Sequence, residues 1–454
     1  MLNALDPAVE WQALIRERAD LSLCGGLAER MRERRLTFGG RLLCPFLRPF
    51  FLDPGDEARV RHAAETLWQL GERVAKAAAA DPRMLEYLGL SEDEIRLTQI
   101  DPGYDVASTS ARADAFILPD SLRFAEYNAE SPAGLGYSQR LSELFDAEPP
   151  MTAFKTRFDV RYYTPIASLL AALLESYRDW GGTQRPPRIA IVDWRDVPTY
   201  SEFELLRDAF AAAGVPTLIA DPRDLVLSDG ALSAHGERID LVYRRVLIND
   251  MVERPDECRA LVEAYQTKAV CVANALRCKI PHKKAFFAVL TDERYASLFT
   301  AAEREVIADH VPWTRVVDRT LTGDIRRERE RLVLKPSDEY GGKGVTLGWE
   351  TDEHQWDDTI SRALEDAADS NRPWIVQERI PTRREVFPVC EGDRLTERDM
   401  LVDFAPYLFR GRVAGFLTRL SATGLANVTS GGGQVPAFVV NARSEERGAR
   451  GVKT

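Results

Sequence analysis

The chain has 454 residues, 45% of them hydrophobic and 29% charged, with a net charge of -11. That length allows about three domains with sizeable cores, and an acidic balance without a long basic block excludes nucleic acid and anionic membrane as main partners. No apolar run approaches the roughly 18 to 20 residues of a membrane span, and the start MLNALDPAVEWQALIRERAD carries charges where a signal peptide needs an apolar core, so a cytoplasmic protein is expected.

Residues 1–95 read as a helical region. After Asp53, which can cap, and Pro54, which suits a first turn, Val60, Ala63, Ala64, Leu67, Leu70 and Val74 recur at helical spacing. The apolar run from Leu42 to Leu52 is expected to pack beneath that stripe. Ser91 with Glu94 has capping-box spacing. No chemistry is expected here.

Residues 96–150 hold the stretch around which the rest is organised, Arg112 to Asn128, reading RADAFILPDSLRFAEYN. Two alternating segments flank Pro119-Asp120-Ser121, a turn signal, and predict a β-hairpin. With the tip centred on Asp120, Asp114 faces Glu126 and Arg112 faces Asn128, all on one face, followed by Phe116 opposite Phe124 and Leu118 opposite Leu122. Two carboxylates set against each other beside apolar groups repel and lose hydration. A magnesium ion fits: it takes one or two carboxylates and completes its shell with water and substrate phosphates. Asn128 can add a neutral oxygen, and Arg112 can face a phosphoryl oxygen. The alternative is a solvated hairpin with ordinary surface charges, and a shift of the turn centre by one residue would put Asp114 and Glu126 on opposite faces. The segment AESPAGLGYSQRLSELF then gives a loop with Pro132, Gly134 and Gly136 and a helix from near Tyr137.

Residues 151–282 read as an α/β unit. A helix through Ile166 to Tyr177 precedes a buried strand at Arg188 to Asp193, an amphipathic helix from Glu202 to Ala213 that stops at Gly214, and a strand at Thr217 to Ala220. Strand, helix and strand imply a right-handed parallel crossover. The first turn lacks GxGxxG, which argues against a dinucleotide site. Asp240 to Arg245 is a further strand, and its two closing arginines are expected in surface salt bridges, with contact to an anionic substrate as the alternative.

Residues 283–454 begin helical through His310. Arg331 to Pro336 is a short apolar strand carrying Lys335, SDEYGGKG follows, and Val345 to Trp349 is again extended, so a flap is expected. Backbone amides at Gly341, Gly342 and Gly344 can approach phosphate oxygens, with Lys335 and Lys343 beside them. The order is not that of a Walker loop. Trp374 to Pro381 is a strand able to hydrogen-bond an adenine edge, with Glu378 near the amino group or sugar. Arg419 and the stretch Ala426 to Gly433 suit close contact with a ligand, and the last dozen residues are expected to fray. Six cysteines at 24, 44, 258, 271, 278 and 390 form no CxxC pair, so reduced thiols are expected. The five histidines are dispersed and support neither a metal site nor a triad.

Arg112-x-Asp114, then Glu126-x-Asn128, and much later VLKPSDEYGGKGV and VQERIP, together resemble the circularly permuted ATP-grasp family. This is the group related to the synthetase domain of glutathionylspermidine synthase and, more distantly, to glutathione synthetase. The resemblance covers roughly residues 96–440. It implies an α/β (α+β) fold in which the 96–150 hairpin completes the ATP-grasp sheet, 151–282 form a preATP-grasp-like subdomain, and 283–454 form the ATP-binding subdomains with their flap.

The resemblance also implies ATP and Mg2+ as cofactors. Asp114, Glu126 and Asn128 would bind the metal, Arg112 and Arg419 would contact the phosphoryl group, and Lys335 with Gly341, Gly342, Lys343 and Gly344 would hold and cover phosphates. Gln377, Glu378 and Ile380 would line the adenine pocket. The earlier ATP lysine corresponds to Lys279, with Lys283 and Lys284 as competitors. The implied activity is that of a carboxylate-amine ligase acting through an acyl phosphate on small-molecule substrates. The alternatives are a small-molecule kinase, or a nucleotide-binding partner protein without turnover. No amidase domain precedes the synthetase-like part, so the spermidine enzyme's substrates do not carry over.

Overall fold

The computed structural model describes residues 6–17, 22–38, 40–339, 341–370, 372–391, 394–424 and 432–443. Tyr340 of the flap, residues 425–431 of the SATGLANVTSGGG stretch and the end expected to fray, beyond Arg443, lie outside them. No helix among the described residues is long and apolar enough to cross a membrane.

The N-terminal region centres on the 26-residue helix Pro54–Ala79, whose start is fixed as expected. Asp53 accepts from the Gly55 and Asp56 amides, and Pro54 occupies the first turn, where a missing N–H costs nothing. Its stripe of Val60, Ala63, Ala64, Leu67, Leu70 and Val74 is buried, and the Ser91–Glu94 capping box forms in both directions. The region is not helical throughout. The apolar run after Leu42 shares the same core, but its last residues form the strand Phe50–Leu52, which pairs in parallel with Ala437–Ala442.

The alternation of strands and helices in 151–282 yields a four-stranded parallel sheet. Its spatial order is Cys271–Ala273, Leu241–Arg244, Ile189–Val192 and Thr217–Ala220. Covered on both faces, such strands read as continuous apolar runs, which is why Ile189–Val192 was legible.

Besides three small sheets of two or three strands, the described residues form two larger antiparallel sheets. The larger runs Gly433–Val435, Arg412–Ser421, Arg394–Phe409, Ser110–Ile117 and Leu122–Asn128, with Arg383–Glu391 also paired to Arg394–Phe409. The early hairpin is thus built onto strands that follow it by almost 300 positions. The smaller sheet runs Thr314–Val316, Trp374–Glu378, Leu332–Pro336 and Thr346–Leu347, and its last two strands flank the glycine tip as a flap requires.

Two expectations are corrected. Cys24 and Cys390 form a disulfide across a separation of 366 residues, with Cα atoms 5.8 Å apart, so the thiols are not all reduced. Spacing in sequence gave no sign of it because the pairing joins a helix to a distant hairpin. Disulfides persist in oxidising compartments, so cysteine usage does not support a cytoplasmic location. Arg244 and Arg245 are buried, not in surface salt bridges: Arg244 pairs with Glu130 at 3.3 Å, and Arg245 donates to the Pro132 carbonyl at 2.7 Å.

Candidate active site

The hairpin places its charged residues through a register that changes along its length. Arg112 is opposite Asn128 and Asp114 opposite Glu126, but the next pairs are Ala115 with Phe124, Phe116 with Arg123 and Ile117 with Leu122. The expected pairs Phe116–Phe124 and Leu118–Leu122 do not form. The Leu118 and Ser121 backbones bond each other in both directions around a two-residue turn, Pro119-Asp120. That turn alone would set Ala125 opposite Asp114. Ala125 is instead the extra residue of a β-bulge, which restores the alignment of Asp114 with Glu126.

These four residues face a cleft of about 340 Å³ between the two antiparallel sheets, together with Arg419, Asp403, Lys284, Lys335, Gly341 and Gly342. Along one wall runs a chain of alternating charge. Arg112 grips Asp114 with two nitrogens, at 2.7 and 3.2 Å. Arg419 donates to Asp114 at 2.6 Å and to Asp403 at 2.5 Å. Asp403 and Arg419 are cross-strand partners, so sheet register sets the second contact. Burial would raise the Asp114 carboxyl, but the guanidiniums of Arg112 and Arg419 outweigh it and hold the group well below the usual carboxylate range. For Asp403 burial wins over Arg419, with Asp114 adding to it, and the carboxyl is pushed up to about 6.

The opposite wall belongs to the smaller sheet. Lys335 reaches the Gln377 side-chain oxygen at 2.7 Å and the bulged Ala125 carbonyl at 3.3 Å. Burial pushes its ammonium down to about 8, with Glu126 opposing and Lys284 assisting. Lys284 stands 3.5 Å from Glu126 and also donates to the Glu339 carbonyl. Above them Gly341 and Gly342 have φ of 65° and 78°, left-handed values that glycine adopts without penalty. Val333, Leu347, Trp349 and Ile380 supply apolar surface to the lining, which also includes Glu378.

Of the residues expected in the site, Arg112, Asp114, Glu126, Asn128, Lys335, Gly341, Gly342, Gln377, Glu378, Ile380 and Arg419 line this one cleft. Gln377 is 1% exposed and holds Lys335 and the Thr314 hydroxyl, so it acts as a buttress. Lys343 and Gly344 lie in the exposed tip, outside the lining residues. Lys279 does not line the cleft: 1% exposed, it bonds Asn249 at 2.5 Å and Asp338 at 2.8 Å, and of the three candidate lysines Lys284 is the one among the lining residues. Asp403 and Glu339, which also line the cleft, were not anticipated. Asp403 follows from its pairing with Arg419 once the two strands are aligned.

The oxygen donors suit a magnesium ion. Two carboxylates and the oxygen of an amide share one face. The described residues hold no group of three His, Cys, Asp or Glu able to bind a metal by themselves.

Two antiparallel sheets enclosing a cleft, a glycine flap over paired lysines, and a carboxylate hairpin that comes first in the chain define an ATP-grasp fold in permuted order. Residues 100–427 match the family described as circularly permuted ATP-grasp type 2, and the chain belongs to it. A glutathione synthetase-like effector, GSS30, of Globodera pallida in its apo form is similar in fold. Its TM-score is 0.62 at 12% identity, over 96% of this chain and 98% of that one. A Frankia casuarinae protein provisionally named glutamate–cysteine ligase 2-2 is 24% identical over 333 residues, 69% of this chain and 36% of that protein. A Frankia alni protein provisionally named glutamate–cysteine ligase 2-3 is 24% identical over 281 residues, 52% of this chain and 31% of that protein. The chain thus spans about a third of the length of these curated relatives, and their names apply to the whole proteins.

Proposed function

We propose that the protein is an ATP-dependent carboxylate-amine ligase that forms an amide or peptide bond through an acyl phosphate. The observation that carries this reading is the single cleft in which the oxygen donors Asp114, Glu126 and Asn128 meet the cations Arg112, Arg419, Lys284 and Lys335 beneath a glycine flap. A carboxylate attacking a phosphate chain brings like charges together, so the site has to supply fixed positive charge on several sides.

In this reading a carboxylate oxygen of the substrate attacks the γ-phosphorus of ATP and the bond to ADP breaks, giving an acyl phosphate. The nitrogen of an unprotonated amine then attacks the acyl carbon, phosphate leaves with the bonding pair, and the amine proton passes to solvent. Arg112 and Arg419 face the phosphoryl group in transfer. Lys284 and Lys335 hold the phosphates, and the amides of Gly341 and Gly342 cover them and exclude water, which would hydrolyse the intermediate. Glu378 and Ile380, with Val333, Leu347 and Trp349, receive the adenine. Magnesium, held by Asp114, Glu126 and Asn128, neutralises phosphate charge when bound.

The Frankia relatives' names describe the same reaction class, the joining of a carboxylate to an amine. The motif resemblance to the synthetase domain of glutathionylspermidine synthase supports that class without fixing the substrates. The test is magnesium-dependent ADP release from ATP with pools of amino acids, polyamines and small peptides, followed by mass spectrometry of the products. ADP release that needs both an acid and an amine, with a new amide mass, supports the ligase. A phosphorylated product formed without any amine would make it a kinase, and no ADP from any pool would overturn turnover altogether.

A further inference from the structure

The segment that carries the glycine tip is fastened below the cleft. Asp338, three residues before Gly341, accepts from Lys279 at 2.8 Å through one oxygen and from Lys283 at 2.7 Å through the other. The two lysines are 1% and 3% exposed. Lys283 also bonds both oxygens of Glu94 at 2.9 Å, and Lys279 lies 3.5 Å from Glu130. Glu130 in turn pairs with Arg244 at 3.3 Å. His282 lies 3.6 Å from Glu130, and burial pushes its imidazole down to about 4, so it adds no charge.

Among the described residues this cluster therefore balances three cations, Lys279, Lys283 and Arg244, against three carboxylates, Glu94, Glu130 and Asp338. Asp338 alone of these comes from the flap. The backbone beside it is held as well: the Ser337 amide donates to the Pro373 carbonyl at 3.0 Å and the Lys284 amide to the Ser337 carbonyl at 2.9 Å. Lys284, the next residue after Lys283, points into the cleft.

We propose that Asp338 is a positioning residue that locks the root of the flap to the buried Lys279–Lys283 pair, and so fixes the distance between the flap, Lys284 and the bound nucleotide. The proposal rests on the nucleotide-binding reading above. A buried ion pair missing one partner leaves a charge without compensation, so the anchor cannot be lost without consequence for the segment it holds. With the root fixed, motion on nucleotide entry is confined to the tip.

The experiment compares the full chain with Asp338→Asn and with the double variant Asp338→Asn/Lys283→Met, in which the buried charges balance again but the anchor is gone. Magnesium-ATP binding is read by calorimetry and flap order by hydrogen exchange at the Ser337 and Val345 amides, both hydrogen-bonded in the native fold. Expected is an ATP affinity at least about tenfold weaker and exchange about tenfold faster at those two amides, with exchange in Pro54–Ala79 unchanged. If Asp338→Asn alone fails to fold, the double variant decides. A double variant with unchanged ATP affinity, or with unchanged flap exchange, overturns the proposal. Wild-type protein that binds no ATP overturns the nucleotide reading itself, a result separate from any difference among variants.

Discussion

The Arg419 guanidinium donates to the Asp114 carboxylate at 2.6 Å and joins two strands whose residues stand 305 positions apart. The side chain best suited to a phosphoryl group thus holds a side chain best suited to a metal. In the proposed reaction both would be shared with substrate, and the fork of Arg419 is satisfied by Asp403 as well.

Arg419→Lys keeps the charge but cannot bond both carboxylates in the same geometry. Turnover should fall by about a hundredfold or more, with ATP affinity changed far less. Steady-state kinetics and ATP calorimetry together check this, and an unchanged kcat would leave Arg419 a purely structural strut.

Glu126→Gln and Asp114→Asn should both suppress magnesium-dependent ADP release by about a hundredfold or more, but their stabilities should differ. Asp114 is 6% exposed and held by two arginines, so its loss should cost roughly 3–5 kcal/mol. Glu126, with its side chain 26% exposed, should cost no more than about 1 kcal/mol. Denaturant melts measure the difference. A stable Glu126→Gln protein with full metal-dependent turnover would remove the ion from this hairpin.

Of the three candidate lysines in LRCKIPHKK, Lys279 and Lys284 should separate cleanly. Lys284→Met should weaken ATP binding by about tenfold and leave the melting temperature nearly unchanged. Lys279→Met strips a buried cation from Asp338 and Glu130 and should cost roughly 3–5 kcal/mol. Reversal of these two outcomes would return the nucleotide role to Lys279.

Lys335 gives the site a basic limit. Its folded pKa of about 8 lies below the unfolded value of about 10.4. The cost of burying its charge is therefore fully present below pH 8 and is relieved as pH rises from there toward the unfolded value, where the unfolded chain binds more protons. Phosphate binding needs the charged form, so ATP affinity should decline as pH rises above about 8. Lys335→Arg should flatten that decline, and an identical pH profile in the variant would assign it to another group.

The Cys24–Cys390 bond closes a very long loop, and its reduction should cost about 2–4 kcal/mol. Thermal melts with and without reductant, paired with alkylation and intact mass, test this. Alkylation of both residues in the untreated protein would show the bond absent.

What could be read from sequence, and what could not, follows the range of the interaction. The hairpin was legible because strand alternation is local, as was the flap, where glycines sit between two short apolar runs; the pairing of Asp114 with Glu126 was reached from a turn centred on Asp120, whereas the strands reach it through a two-residue turn and a bulge at Ala125. The role of Lys279 was not, because three lysines within six positions occupy one turn-rich segment and only tertiary packing shows which enters the cleft. Asp403 owes its place to strand pairing with Arg419, which the order of residues along one strand does not show, and Cys24 met Cys390 through contacts that leave no trace in spacing.

The bulge at Ala125 separates what the hairpin's tip must be from what its base must be. A turn of either parity can cap these strands provided that one residue absorbs the mismatch, so the loop is open to replacement by other sequences. Excising Ala125 would leave a regular ladder in which Glu126 follows Phe124 and still stands opposite Asp114, whereas one residue added to the turn with Ala125 kept would carry Glu126 out of line with Asp114.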